Sequence, residues 1–129
     1  MDVHTAANGV PNVDDTELGG LLEDLYGIHA GLDLMLDGAR LIAHDRHTLD
    51  RTQTLSAGLA GSTDGTDLLT AIGLLVARLT NPDTNPALRQ LTFEQQKQTQ
   101  KAGEALVFDL ADPHLHQHAA DASGAIHTD

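Results

Sequence analysis

Residues 14–57 read DDTELGGLLEDLYGIHAGLDLMLDGARLIAHDRHTLDRTQTLSA, and the period of this stretch decides the fold class. At about 100° per residue, Leu18, Leu21, Leu22, Leu25, Ile28, Leu32, Leu36 and Ala39 fall in one broad stripe, as on a helix with one buried face. Asp14, Asp15 and Thr16 precede the first leucine and offer N-caps, because a short side-chain oxygen can accept from an unpaired N–H of the first turn. The spacing predicts a long N-terminal helix over about residues 15–57, either continuous or broken near Gly38. No part of the chain alternates apolar and polar residues as a half-buried strand would, so the fold expected is all-α.

Downstream, Gly58, Gly61, Ser62, Asp64 and Gly65 interrupt the helical pattern. Thr66 or Asp67 can then cap a short helix over 67–80, with Leu68, Leu69, Ile72, Leu75, Val76 and Leu79 on its inner side. The segment NPDTNP at 81–86 is a loop. Asn85 before Pro86 is a cap followed by a first-turn proline, and predicts a third helix over 86–111. Residues 1–13 and 112–129 have little apolar surface to offset the entropy of ordering, so both read as mobile tails around a helical domain at 14–111. At 1.5 Å per residue, an unbroken first helix would be about 65 Å long and the other two about 21 and 39 Å, too short to cover it. The chain is therefore expected to be a three- or four-helix bundle. If the long helix is unbroken, its uncovered part is a surface for a second subunit.

Two features suggest where helices meet. Gly20, Gly27, Gly31 and Gly38 are spaced 7, 4 and 7, which on one continuous helix places them within about 40° of each other and roughly 120° from the leucine stripe. Glycine costs on the order of 0.5–1 kcal/mol relative to alanine inside a helix, so the stripe is either a close-approach surface for another helix or a weak or solvated face where the helix kinks or ends near Asp37-Gly38. In the last helix the seam Leu88, Leu91, Gln95, Thr99, Ala102, Leu106, Leu110 carries a polar layer at Gln95 and Thr99, which either sets register between partner helices or is a solvated part of a helix that projects past its neighbours.

The polar side of the first stretch holds Tyr26, His29, Asp33, Asp37, Arg40, His44 and His47 at steps of 3, 4, 4, 3, 4 and 3. Such a stripe opposite a leucine face reads most simply as a solvated face laced with weak i, i+4 pairs, but His29 with Asp33, and His44 with His47, also have spacings at which two side chains of one helix can share a metal ion. His114, His116 and His118 alternate, so in an extended segment three imidazoles could converge on a divalent metal. Against a metal site in the bundle, the helix at 86–111 carries Glu94, Glu104 and Asp109 but no histidine, and a bundle site needs ligands from more than one helix. No cofactor is required by any motif; a divalent metal is the alternative these histidines hold open.

The 129 residues weigh 13.6 kDa and carry 7 Lys or Arg against 19 Asp or Glu, a net charge of −12. So negative a surface repels phosphate, which argues against nucleic acid and anionic membrane as partners. The chain contains no cysteine, and so no thiolate nucleophile or disulfide. Ser56 and Ser62 stand in no nucleophile elbow, and GSTDG at 61–65 lacks the lysine of a phosphate-binding loop. There is no basic-then-apolar leader pattern and no apolar run long enough to span a bilayer, so a cytoplasmic setting is expected. These readings together predict a non-enzymatic acidic protein that works by protein–protein interaction or assembly, as a homo-oligomer or as a blocker of a basic protein partner. A metal- or small-ligand-binding bundle is the competing reading.

Overall fold

Left-handed and extended backbone at two points divides the leucine-rich stretch into three helices. In the computed structural model, which describes residues 9–126, these are α1 (Glu17–Asp24), α2 (Ala30–His44) and α3 (Leu49–Ala60). The fold is all-α, and no strand occurs among the described residues. The long helix expected over 15–57 is therefore corrected, and the break expected near Gly38 lies elsewhere, since Gly38 runs inside α2. The breaks fall where local capping chemistry exists. Gly27 sits at φ +97°, a conformation glycine adopts without Cβ strain. His29 is extended and its ring nitrogen accepts from the Gly31 N–H at 2.8 Å, capping α2. At the second break Asp45 is extended, and Thr48 caps α3 by accepting from Arg51 N–H. Gly38 has no such capping residue after it, so the helix continues through it.

The chain forms two compact units, one ending at His47 and the other beginning at Thr48. In the first, Val13, Leu22 and Leu36 are buried, and α1 packs on α2. The Val13 N–H donates to His44 Nε2 at 3.0 Å, and Arg40 pairs with Asp14. Gly19 stands so close to the Val13 carbonyl that a Cβ there would overlap it. The segment expected as a mobile N-terminal tail is thus tied down by Val13, while residues 1–8 lie outside the described residues.

In the second unit, the helix expected over 67–80 is present as α4 (Leu68–Leu79), capped by Asp67 as the sequence suggests. Only Leu69 and Val76 of its anticipated inner side are half-buried; Leu68, Ile72, Leu75 and Leu79 are exposed. The helix expected over 86–111 is divided. Asn85 and Pro86 start a 3-10 turn (Pro86–Gln90), Leu91 is extended, and Thr92 with Gln95 forms a reciprocal capping box that begins α5 (Phe93–Leu110). The segment read as a mobile C-terminal tail contains α6 (Pro113–Gly124), with Asp112 as N-cap and Pro113 in the first turn. It packs along α3. Ser123 Oγ donates to the Gln53 carbonyl at 2.9 Å, and Gln53 Nε2 donates back to the Ser123 carbonyl at 3.0 Å. Polar anchoring of this kind is invisible to an argument based on apolar content.

Among the described residues of the second unit no apolar side chain is buried; the buried positions are Gly61, Asp67, Gly73, Gly103, His116 and Ser123. The helices approach each other at the glycines. A Cβ on Gly73 would stand 2.8 Å from Leu110 Cδ1. One on Gly103 would overlap the Thr80 hydroxyl and lie 3.3 Å from Ala77 Cα. Gly103→Ala is therefore expected to destabilise the protein by about 1–3 kcal/mol through overpacking at the α4–α5 crossing. Gly20→Ala, where a Cβ meets open space inside α1, should be neutral or stabilise by up to about 1 kcal/mol. Urea denaturation of the two variants checks both signs.

Candidate functional site

The sequence-selected glycines do not form a helix seam. Gly27 is in the loop before α2, Gly20 and Gly38 face open space, and Gly31 faces only the capping ring of His29, with Nδ1 at 3.1 Å. The close-approach glycines are Gly19, Gly61, Gly73 and Gly103, none of which belongs to that stripe. Gln95 is occupied locally: its Oε1 accepts from Thr92 N–H at 3.0 Å, and the residue is exposed. Thr99 is half-buried on the same side of α5 as Gly103 and Leu106.

Each candidate metal ligand of the first unit already has a partner. His29 caps α2, Asp33 accepts from the Gly27 N–H at 2.9 Å, and His44 Nε2 accepts from Val13. His47 Nε2 donates to the Ile42 carbonyl at 2.7 Å, while its buried Nδ1 has no partner. Tyr26 lies 3.4 Å from Asp37, whose negative charge raises the phenol pKa. Among the described residues, no three His, Asp or Glu side chains converge as metal ligands would. His114, His116 and His118 lie on a helix and not on an extended strand, so neighbours two apart point to opposite sides; His116 is buried and the other two are exposed.

What the fold does bring together is His116 and Asp67, 49 residues apart, as a fully desolvated pair. His116 Nδ1 donates to Asp67 Oδ2 at 2.6 Å and is shared with the Ala60 carbonyl at 3.2 Å. Nε2 donates to the Leu110 carbonyl. A carboxylate and a carbonyl can only accept, so both ring nitrogens must carry hydrogen and the side chain is an imidazolium. Its carbonyl partners belong to the last residues of α3 and α5. Those positions carry the orphan acceptors and the negative end of the helix dipole, which a cation satisfies. The bond to Leu110 raises the His116 pKa most; burial opposes it, and the Asp67 carboxylate adds to the rise.

Asp67 in turn receives four donors. Thr70 N–H and Oγ1–H reach Oδ1 at 2.9 and 2.8 Å, and Ser62 N–H and His116 reach Oδ2. Burial is the largest single influence and favours the neutral acid, but the hydrogen bonds together outweigh it and hold the carboxyl at about 2. With His116 at 1% exposure and both nitrogens committed, no substrate proton can reach the ring. The pair is thus a structural lock joining the ends of α3, α4 and α5 to α6, not a general acid–base centre. The sequence alone offered Asp67 as a helix cap and His116 as one of three clustered histidines; nothing in it indicates that they meet.

The other salient feature is open apolar surface. Leu34 and Leu41 on α2 are 72% and 70% exposed, and Phe93 and Phe108 on α5 are 82% and 80% exposed. Open hollows beside these aromatics are shallow: one of about 570 Å³ is lined by Phe108, Asp109, Ala111, Asp112 and Pro113. No helix among the described residues is long and apolar enough to cross a membrane.

The lock dictates a pH profile. A depressed carboxyl contributes stability that is present above its unfolded value near 3.8 and is lost as pH falls through about 2. A raised imidazole contributes stability that is full below its unfolded value near 6.5 and is lost as pH rises through the folded value. The contribution of the pair should therefore be greatest between about pH 4 and 6.5. It should decline on the alkaline side, where one acceptor would face a bare ring nitrogen. Melting curves across pH are expected to show this alkaline loss in the wild type and not in His116→Asn. Nitrogen NMR at pH 7 should find both His116 ring nitrogens protonated; a neutral ring would contradict the lock.

Comparison with known protein families, with curated proteins and with solved structures finds no match for this chain, so its own residues are what bear on its function.

Proposed function

We propose that this protein is non-enzymatic and acts by protein–protein assembly, primarily with copies of itself. The observation that supports this reading is the mismatch between apolar content and apolar burial. The chain is 40% hydrophobic. Yet among the described residues the buried large apolar side chains are Val13, Leu22 and Leu36, while more than a dozen Leu, Ile and Phe side chains are exposed. Burial of such side chains at about 25 cal/mol per Å² favours covering them. The second unit is joined by glycine contacts, the His116–Asp67 lock and the Gln53–Ser123 bonds, which leaves many of its leucines available to a neighbour.

The −12 charge favours a second reading within the same class, in which the partner is a basic protein. Salt separates the two. Association through apolar faces persists or strengthens at high ionic strength, whereas capture of a basic partner by a negative surface weakens as the Debye length shrinks. Light scattering on the purified chain should give a mass that is a multiple of 13.6 kDa at micromolar concentration and is retained in about 1 M salt. A monomer at every concentration up to the millimolar range, with no partner retained in a pull-down, would sink the proposal.

A further inference from the structure

We infer that α4 is the pairing helix, its stripe of Leu68, Ile72, Leu75 and Leu79 packing antiparallel against the same stripe of a second copy. This assignment rests on the self-association proposed above. The four residues follow at steps of 4, 3 and 4, the spacing of an apolar seam that meets a partner helix. All four are between 36% and 55% exposed. The other side of α4 is already occupied: Gly73 meets Leu110, and Ala77 and Thr80 meet Gly103 of α5. α5 and, to a lesser extent, α3 pack on α4, and the Leu68, Ile72, Leu75, Leu79 stripe stays exposed beside them, an apolar face left for a further partner.

Charge selects a second copy as that partner. Across Leu68–Leu79 the one charged side chain is Arg78, and α4 is the only α-helix among the described residues that carries no Asp or Glu. Two copies of a −12 protein can therefore meet at this helix without setting carboxylate against carboxylate. Charge also selects the direction. Parallel helices would place Arg78 beside its own counterpart. Antiparallel helices bring it toward the start of the partner's α4, where Asp64 is exposed, and set the helix dipoles in opposition. In that arrangement a two-fold axis passes near Gly73, Ile72 faces Leu75, and Leu68 faces Leu79, so the contact is closed and self-complementary. Three helical turns bury less than a standard interface, which places the pairing at the weak, micromolar end of specific association.

Sedimentation equilibrium of the full chain tests this with Leu75→Glu on the seam and Leu41→Glu on α2 as the comparison, circular dichroism confirming that both fold. The expected result is that Leu75→Glu weakens dimerisation roughly tenfold or more while Leu41→Glu leaves it unchanged. If the wild type is monomeric, self-association itself fails. If the wild type dimerises and Leu75→Glu still does, the assignment to α4 is overturned and self-association stands. Because the chain has no cysteine, direction is read independently by oxidising Leu68→Cys and Leu79→Cys variants. Antiparallel pairing gives a disulfide dimer in the mixture of the two and little in either alone. Absence of that cross-link overturns the assignment, including where Leu75→Glu fails to fold or both glutamate variants dissociate.

Discussion

One imidazolium ties the second unit together. His116 sits among the carbonyl that ends α3, the carbonyl that ends α5 and the carboxylate that caps α4, and it is itself held on α6. Each partner is a helix terminus, where backbone groups lack intrahelical bonds and the dipole is unbalanced. A single buried cation thus answers two orphan acceptors and one negative cap. Removing either charge would leave the other desolvated and unpaired, which is why such pairs are sensitive to loss of one member even where the pair itself adds little net stability. The four helices depend on this contact because no fully buried apolar side chain does the same work.

That dependence explains how leucines come to be left open. Where α4 crosses α5, Gly103 meets Thr80 and the Ala77 backbone, and the Leu110 side chain seats on Gly73, so the two helices meet through glycines on one side of α4. Leu69, Val76, Leu106 and Leu110 are covered in part, whereas Leu68, Ile72, Leu75 and Leu79 are not. In the first unit Val13, Leu22 and Leu36 are buried and the Val13–His44 bond ties the segment before α1 to α2, while Leu34 and Leu41 remain exposed. A chain built this way derives specificity from polar contacts and keeps its apolar area for association, the physical basis for proposing an assembly role.

Metal chemistry, the competing sequence reading, depended on histidines being unoccupied. In the folded chain one nitrogen of His29 and one of His44 are taken by backbone N–H groups, and His116 is spent on the lock. The regular spacing from Tyr26 to His47 is cut at both ends, because Tyr26 and His29 lie in the break at 25–29 and His47 past the end of α2, which leaves Asp33, Asp37, Arg40 and His44 on one helix.

The all-α class, the cap at Asp67, the helix behind it and the Asn85–Pro86 turn were legible from sequence, since caps, glycines and 3.6-residue periodicity act over a few residues. Capping residues stand at Thr48, Thr92 and Asp112-Pro113 as well, but a leucine period runs across the first, a polar seam across the second, and little apolar content surrounds the third. Only the tertiary structure decided that α6 packs on α3, which glycines stand at crossings and which face of α4 is open. Those outcomes hang on contacts between residues 49 and 70 positions apart, such as Asp67 with His116 and Gln53 with Ser123, and no local period encodes a polar bond across that distance.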